Sequence, residues 1–504
     1  MAGGSGQPGA VWPGLSGRRA WGWWPMWLVT LLCAGVYLAL SLGRWWRQSA
    51  PSWDLAIFEQ AVKGYANLQA PIIDIRGPGM NQLGDHFSPL LALLAPAYRL
   101  FPSPVTLLVA QCLLVAVSVI PVMMAARHFL GGTAAVLLGI AYSVSWGFQS
   151  GVDVQFHEYA LAVPLLAFSL WALLSKHWVT AAVLALLLLG VKEDLGFTVV
   201  VFGVLMLVRG IRRWSDLTED ADRQAIVGAL TVLLGVIGSL LVLFVAIPAF
   251  NPRGSWEYWG RLSGDGADIS TGTSLSTALA NLPQLLLTFF TPAQKVNTLV
   301  LLAALCLGCC VVSRLAWLAV PTLLWRFISP NEGYWGTGWH YSMILMPIIF
   351  MAAIEALDRL RQSSSRSVRS YALVVPWLAC AFGLLTCLVF PLHNIIDPAS
   401  YQPPSRADQA ATVLALIPPS TSVATDTGLI TQLVTDHTVY WNGSLPGGVV
   451  PDYLLIDPLS GWSGEPGDPA KLAEMYYPGS SFTTIYDQSN SGDPNGYRLA
   501  KRDS

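Results

Sequence analysis

Apolar runs long enough, or nearly so, to cross a hydrocarbon layer of about 30 Å recur along this chain, about eleven in all. They lie near residues 21–43, 104–125, 132–149, 159–175, 178–191, 195–208, 225–249, 296–313, 315–328, 341–357 and 371–390. Such a chain is expected to fold as a bundle of helices in a bilayer, because lipid offers backbone N–H and C=O groups no partners of its own. Composition agrees, with 54% hydrophobic and 12% charged residues, far from soluble averages. A formal net charge of −2 gives no electrostatic footprint for nucleic acid. All seven cysteines fall inside apolar runs, which excludes a disulfide framework. The CLGCC cluster at 306–310 reads as small packing residues of a bilayer helix.

The connections between runs are unequal in charge. With the N-terminus inside, the inner connections hold about thirteen Lys and Arg in roughly sixty positions, against about fifteen in some 240 positions outside. Arg18 and Arg19 precede the first run, whose Trp21, Trp23, Trp24 and Trp27 suit an aromatic belt, so it reads as an uncleaved span. The bias places the C-terminal region outside.

One run carries charges at its middle: LLLLGVKEDLGFTVVVF, residues 186–202. As a single helix it would set Lys192, Glu193 and Asp194 at mid-bilayer, on the order of 7–10 kcal/mol before any pairing. Lys176 before it and Arg209, Arg212 and Arg213 after it both favour the inner face. A hairpin of two short helices meets both demands and carries the three charges to its outer tip. Each arm has about fourteen residues, roughly 21 Å, so the tip is expected in a depression.

Other polar groups gather on that outer face. The first outer loop contains WDLAIFEQ, with Asp54 and Glu59, and DIRGPGMNQLGDHFSP, with Asp74, Arg76, Asp85 and His86. Further along come FHEYA, with His157 and Glu158, and WRFISPNEGYWGTGWHYS, with Arg326, His340 and Tyr341. Acids, imidazoles and cations at the mouth of a bundle suit acid–base chemistry on an anionic lipid. Asp54 and Asp85 also suit helix caps. Asp54 and Glu59 are five apart, about 140° around a helix, and are no ready-made metal pair. His157-Glu158 does not extend to HExxH, and no GxSxG, P-loop or GxGxxG stands in a usable context.

The chain therefore divides into a disordered cytoplasmic N-terminus at 1–20, a transmembrane domain at 21–390 and an extracytoplasmic α/β domain at 391–504. The outer loops of the transmembrane domain are 44–103, 150–158, 250–295 and 329–340. Within the loops, 86–101 and 281–290 are short and broken by prolines, as interfacial helices are. The last domain reads as helix 407–417, strand 421–425, short helix 428–434, strands 437–441 and 452–457, helix 470–477, and strands 481–487 and 496–501. Asn442-Gly443 reads as a tight turn.

Taken together, WDLAIFEQ, GDHFSPLLALLAPAYRLFPSP, FHEYALAVPLL, GVKEDLGF, GWHYSMILMP, LIPPSTSVATD and DYLLID resemble an uncharacterised family of bacterial polytopic membrane proteins. That family is a domain of unknown function grouped with the GT-C glycosyltransferases. The resemblance implies a GT-C-like bundle whose first outer loop supplies an essential acid. It also implies an enzyme that takes a sugar from a polyprenyl-phosphate carrier and passes it, with inversion, to a glycan, lipid or protein acceptor outside the bacterial plasma membrane. On that reading Asp54 is the base, with Asp85 or Glu158 as second candidates. Lys192, Arg326 and His340 hold the lipid phosphate, Glu193 and Asp194 organise Lys192 or bind sugar hydroxyls, and His86, His157 and Tyr341 complete the pocket. The resemblance admits a divalent metal, yet the first loop has a lone Asp followed by Leu where related loops carry adjacent or alternate acids, so no metal ligands are assigned. A multi-pass transporter or flippase of a lipid-linked or small polar substrate is the alternative, since it too needs a charged cavity. The lack of a clear internal repeat and the one-sided placement of the charges weigh against it.

Overall fold

In the computed structural model the described residues are 22–48, 53–213, 219–254, 287–329, 331–402, 404–444, 448–460 and 467–503, with 256, 258 and 283 between them. The expected N-terminal segment 1–20, much of loop 250–295 and most of the helix expected at 281–290 lie outside these residues. Five described helices are long and apolar enough to cross a membrane: Trp24–Trp46, Pro104–Leu130, Gly132–Asp153, Glu219–Phe250 and Arg366–Thr386. Shorter apolar helices run over Tyr159–Leu174, Trp178–Gly190 and Leu195–Ile211. Helix Leu345–Arg361 is buried without interruption from Leu345 to Ile354 and forms the centre of the bundle. By contrast Leu31, Leu233 and Leu385 stand uncovered on three of the long helices, as lipid-facing side chains do. The run expected at 296–313 is not one smooth helix. It stops at Ala304, passes Leu307 and Gly308 with positive φ, and re-forms as the 3-10 turn Cys309–Val312.

Helices Leu195–Arg213 and Glu219–Leu241 meet backbone to backbone. A Cβ on Gly228 would lie 2.4 Å from the Leu207 nitrogen, and one on Gly203 would lie 2.7 Å from the Val232 nitrogen. In lipid, helices gain little from burying apolar surface against each other, so close contact through small residues supplies the attraction. Replacing Gly228 with Val (G228V) should part the pair at about 1–3 kcal/mol. The expected readout is a lower melting temperature in detergent, and a wild-type value would contradict the contact.

The C-terminal domain is a five-stranded sheet of β1 (Ser422–Thr425), β2 (Thr438–Trp441), β3 (Tyr453–Ile456), β4 (Phe482–Asp487) and β5 (Arg498–Arg502). The strand order is β2-β1-β3-β5-β4, with β1 parallel to β2 and β3, and β5 antiparallel to β3 and β4. Alternate side chains serve two cores. Val423, Val439 and Leu455 join the apolar core that continues into the bundle, while Ala424, Leu454 and Ile456 pack with Leu472 and Ala473 of helix Pro469–Tyr476.

The first-loop helix Trp53–Ala66 clamps this domain. Gln60 Nε2 donates to the Val439 carbonyl at 2.9 Å, and Lys63 Nζ donates to the carbonyls of Val434 and His437 at 2.7 and 3.1 Å. Glu59 Oε1 accepts from Thr435 Oγ1 at 2.7 Å and from Tyr98 Oη at 2.8 Å. Burial pushes the Glu59 carboxyl up to about 7, against the pull of those two hydrogen bonds and of Lys63, while Asp436 adds to the rise. The native state therefore holds a proton that the unfolded chain loses near 4.5. Stability should fall as pH rises between those values, by on the order of 3 kcal/mol, and level off above them. Replacing Glu59 with Gln (E59Q) should remove that slope from the melting temperature, and a slope equal to wild type would assign it to other groups.

Candidate functional site

The charges of the 186–202 stretch sit between helices Trp178–Gly190 and Leu195–Ile211, and the tip is sunk, with Lys192 only 6% and Glu193 3% exposed. Each group is held by a different element. Lys192 Nζ lies 2.7 Å from Glu158 Oε1 and 4.9 Å from the centre of the Tyr159 ring. Glu193 takes His86 Nδ1 at 2.7 Å and the Phe87 N–H at 3.1 Å. Asp194 Oδ2 accepts from Tyr159 Oη at 2.7 Å and from Trp325 Nε1 at 3.0 Å. Burial alone would lower the Lys192 ammonium, but Glu158, Glu193 and Asp194 together outweigh it and hold its pKa above the ordinary value. The hairpin tip is thus a knot that ties the first loop and helices Tyr159–Leu174 and Val320–Ile328 together.

Asp54 stands in the first turn of helix Trp53–Ala66, half-buried, beside two imidazoles. The rings of His157 and His340 stack with centroids 3.3 Å apart and planes 20° from parallel. Burial pushes both imidazoles well below their ordinary pKa, and Lys192 pushes further, so both are neutral at pH 7. Burial and the Glu158 charge raise the Asp54 carboxyl to about 6, with Lys192, His86 and Arg76 opposing. His157 Nδ1 lies 2.6 Å from Glu158 Oε2, off the line of a proper hydrogen bond. Among the described residues neither ring nitrogen of His340 has a hydrogen-bond partner.

The remaining expected residues join the same network. Asp85 does not cap a helix. It takes a two-pronged contact from Arg76, Nε at 3.2 Å and Nη2 at 3.0 Å, and Tyr258 Oη approaches it at 3.4 Å. The His86 ring lies against Tyr258, and Tyr341 lies 4.1 Å from the His340 ring. Arg326 is fully buried, but its fork is directed at its own loop: Nε to the Tyr334 carbonyl, Nη2 to the Gly336 carbonyl and Nη1 to Ser342 Oγ. Those bonds shape the segment that carries His340. Sequence reasoning gave no role to Arg76, Tyr159, Trp325 or Trp53. Tyr159 had a visible signal, since it follows His157-Glu158 at a helix start.

Two neighbouring regions frame the site. Trp53 packs at 5.0 Å against Trp441 at the end of β2, and Ser444 Oγ donates to the Ile75 carbonyl. The carboxyl ends of the parallel strands, with Asp426, Asn442 and Asp457, therefore lie on the Asp54 side. At the other end of helix Tyr159–Leu174, about 24 Å away, a cavity of about 420 Å³ is lined by Lys176, Arg209, Arg314 and Arg359 around Glu355 and Asp358. Glu355 binds Arg209 and Arg359 at 2.9 and 2.7 Å.

The fold has known counterparts. The chain aligns over 94% of its length with 97% of the crystal structure of ArnT from Cupriavidus metallidurans bound to undecaprenyl phosphate, at a TM-score of 0.53 and 14% identity. The apo form of that protein aligns at 0.51 and 13% identity over the same shares. An Archaeoglobus fulgidus oligosaccharyltransferase in the apo form aligns at 0.42 and 12% identity, over 92% of this chain and 70% of the other. The protein is a membrane protein with the fold of the GT-C glycosyltransferases and a small C-terminal sheet domain. It belongs to the predicted membrane protein family DUF2079, which it matches over residues 44–491. No curated protein matches it by sequence.

Proposed function

We infer that this protein transfers a sugar from a polyprenyl-phosphate carrier to an acceptor at the outer face of a bacterial plasma membrane. The observation that carries the reading is the first-loop carboxylate of Asp54, set among buried imidazoles beside the Lys192–Glu158 pair. Support comes from the ArnT likeness, which spans nearly all of both chains and includes a structure bound to a polyprenyl phosphate.

In such a transfer the acceptor hydroxyl loses its proton as its oxygen attacks the anomeric carbon, and the bond from that carbon to the phosphate oxygen breaks. Asp54 accepts no side-chain hydrogen bond among the described residues and is the base. Asp85 and Glu158 are second candidates, each already occupied, by Arg76 and by Lys192. The Lys192 ammonium stabilises the leaving phosphate. Glu193 and Asp194 orient the tip that carries it, and His86, His157 and Tyr341 pack beside these groups. Arg326 acts at one remove, by shaping the loop of His340. The C-terminal domain covers the site and presents the acceptor, since open α/β sheets bind ligands at the carboxyl ends of their strands. The cation-rich cavity at the far end of the bundle fits the cytoplasmic face.

The test is to incubate the purified full chain with a polyprenyl-phosphate sugar labelled in the sugar. Label passing to acceptor or water is expected. Movement of intact donor across a proteoliposome bilayer, with no bond broken, would overturn the reading in favour of a transporter.

A further inference from the structure

Five carboxylates (Asp54, Asp85, Glu158, Glu193 and Asp194) meet three cations (Arg76, Lys192 and Arg326) around the stacked histidines. Five acids against three bases leave these residues with a negative formal charge, and Arg326 is already engaged by its own loop. A phosphate-bearing ligand is repelled from such a cluster unless a cation binds with it.

The imidazoles supply the means. His340 is 2% exposed, and neither of its ring nitrogens has a hydrogen-bond partner among the described residues. Buried polar atoms left unsatisfied are costly, so a pair on one ring calls for a ligand. His157 has Glu158 at its Nδ1 edge, the outer-shell carboxylate that commonly orients a metal-binding imidazole, which leaves Nε2 for an ion. One donor atom each from Asp54, His157 and His340 lie within 4.8 Å of one another.

We propose that Asp54, His157 and His340 bind one divalent transition-metal ion of the borderline class to which zinc belongs, with at least one coordination position open. Two imidazoles and one carboxylate favour that class over magnesium, which prefers oxygen and water. Bonds of about 2.0–2.2 Å would place tetrahedral ligand atoms roughly 3.3–3.6 Å apart, so the three side chains would close by about 1 Å and the two stacked rings would turn until their in-plane lone pairs converge. Asp54 is half-buried in the first turn of its helix. Three protein ligands with an open position are the pattern of catalytic rather than structural sites, and a phosphate oxygen suits that position. Only that last step rests on the transfer reading. A carboxylate has two oxygens, so ligation through one leaves the other for a proton.

The experiment uses the full chain in detergent, stripped with chelator, then given Zn²⁺ alone, Mg²⁺ alone or Co²⁺ alone and desalted. Elemental analysis should find about one Zn²⁺ per chain and no retained Mg²⁺, and Co²⁺ should acquire a visible absorption band. H340Q and D54N should each weaken Zn²⁺ binding by more than about tenfold while melting like the stripped wild type. Should H340Q fail to fold, D54N decides alone, since its side chain is half-buried. No stoichiometric Zn²⁺ in the wild type, or equal retention in both variants, would overturn the site. Metal retention is read without any sugar donor, so it can fail or succeed independently of transfer.

Discussion

Replacing Asp54 with Asn is expected to lower sugar transfer by roughly a hundredfold to ten-thousandfold, the range for loss of a positioned base, with expression unchanged and the melting temperature of the metal-stripped wild type. Asn keeps the size of the side chain and removes its charge. Among the described residues Asp54 accepts no side-chain hydrogen bond, and its neighbours His157 and His340 pack on each other and on Tyr159 and Tyr341. The variant therefore separates chemistry from architecture. Labelled-donor turnover and a thermal melt on the same preparation check both halves, and turnover within a few-fold of wild type would remove Asp54 from the mechanism.

Replacing Lys192 with Met is expected to act on stability as strongly as on chemistry. Lys192 and Glu158 face each other at 2.7 Å with both side chains buried. Removing one partner of a buried ion pair leaves the other charged and unpaired, at about 3–5 kcal/mol. The melting temperature of K192M should fall sharply, and the double variant K192M/E158Q should recover most of the loss, because the carboxylate in contact with Lys192 is then neutral while Glu193 and Asp194 keep their own hydrogen-bond partners. Failure of the second substitution to restore stability would mean that Glu158 is not what Lys192 neutralises.

Much of the architecture was legible because its physics is local. The insertion cost of three charges was enough to break residues 178–208 into a hairpin, and the shortness of its arms to sink the tip, where Lys192 and Glu193 are buried. The alternating signals after residue 405 gave strands that coincide with β1 to β5 within a residue or two. Asp54 and Glu59, five apart on one helix, have different neighbours, the first beside the histidines and the second bonded to Thr435 and Tyr98. Long-range geometry was not legible. Nothing near His157 indicates that its ring stacks on His340, since that contact depends on how helices Tyr159–Leu174 and Leu345–Arg361 align. The same limit applies to Arg326: a lone cation at the end of an apolar helix looks available for phosphate, and only the fold of 334–342 shows its fork directed at carbonyls.

The reading as a whole depends on which way the Asp54 end of the bundle faces. Single cysteines at Gln69, exposed beside the first-loop helix, and at Ser364, exposed between helices Leu345–Arg361 and Arg366–Thr386, can be tested in a background without the seven native cysteines. With a membrane-impermeant maleimide on intact cells, Q69C should react at once and S364C only after the membrane is opened. Labelling of S364C with protection of Q69C would turn the bundle over and rule out chemistry on an exterior lipid-linked sugar.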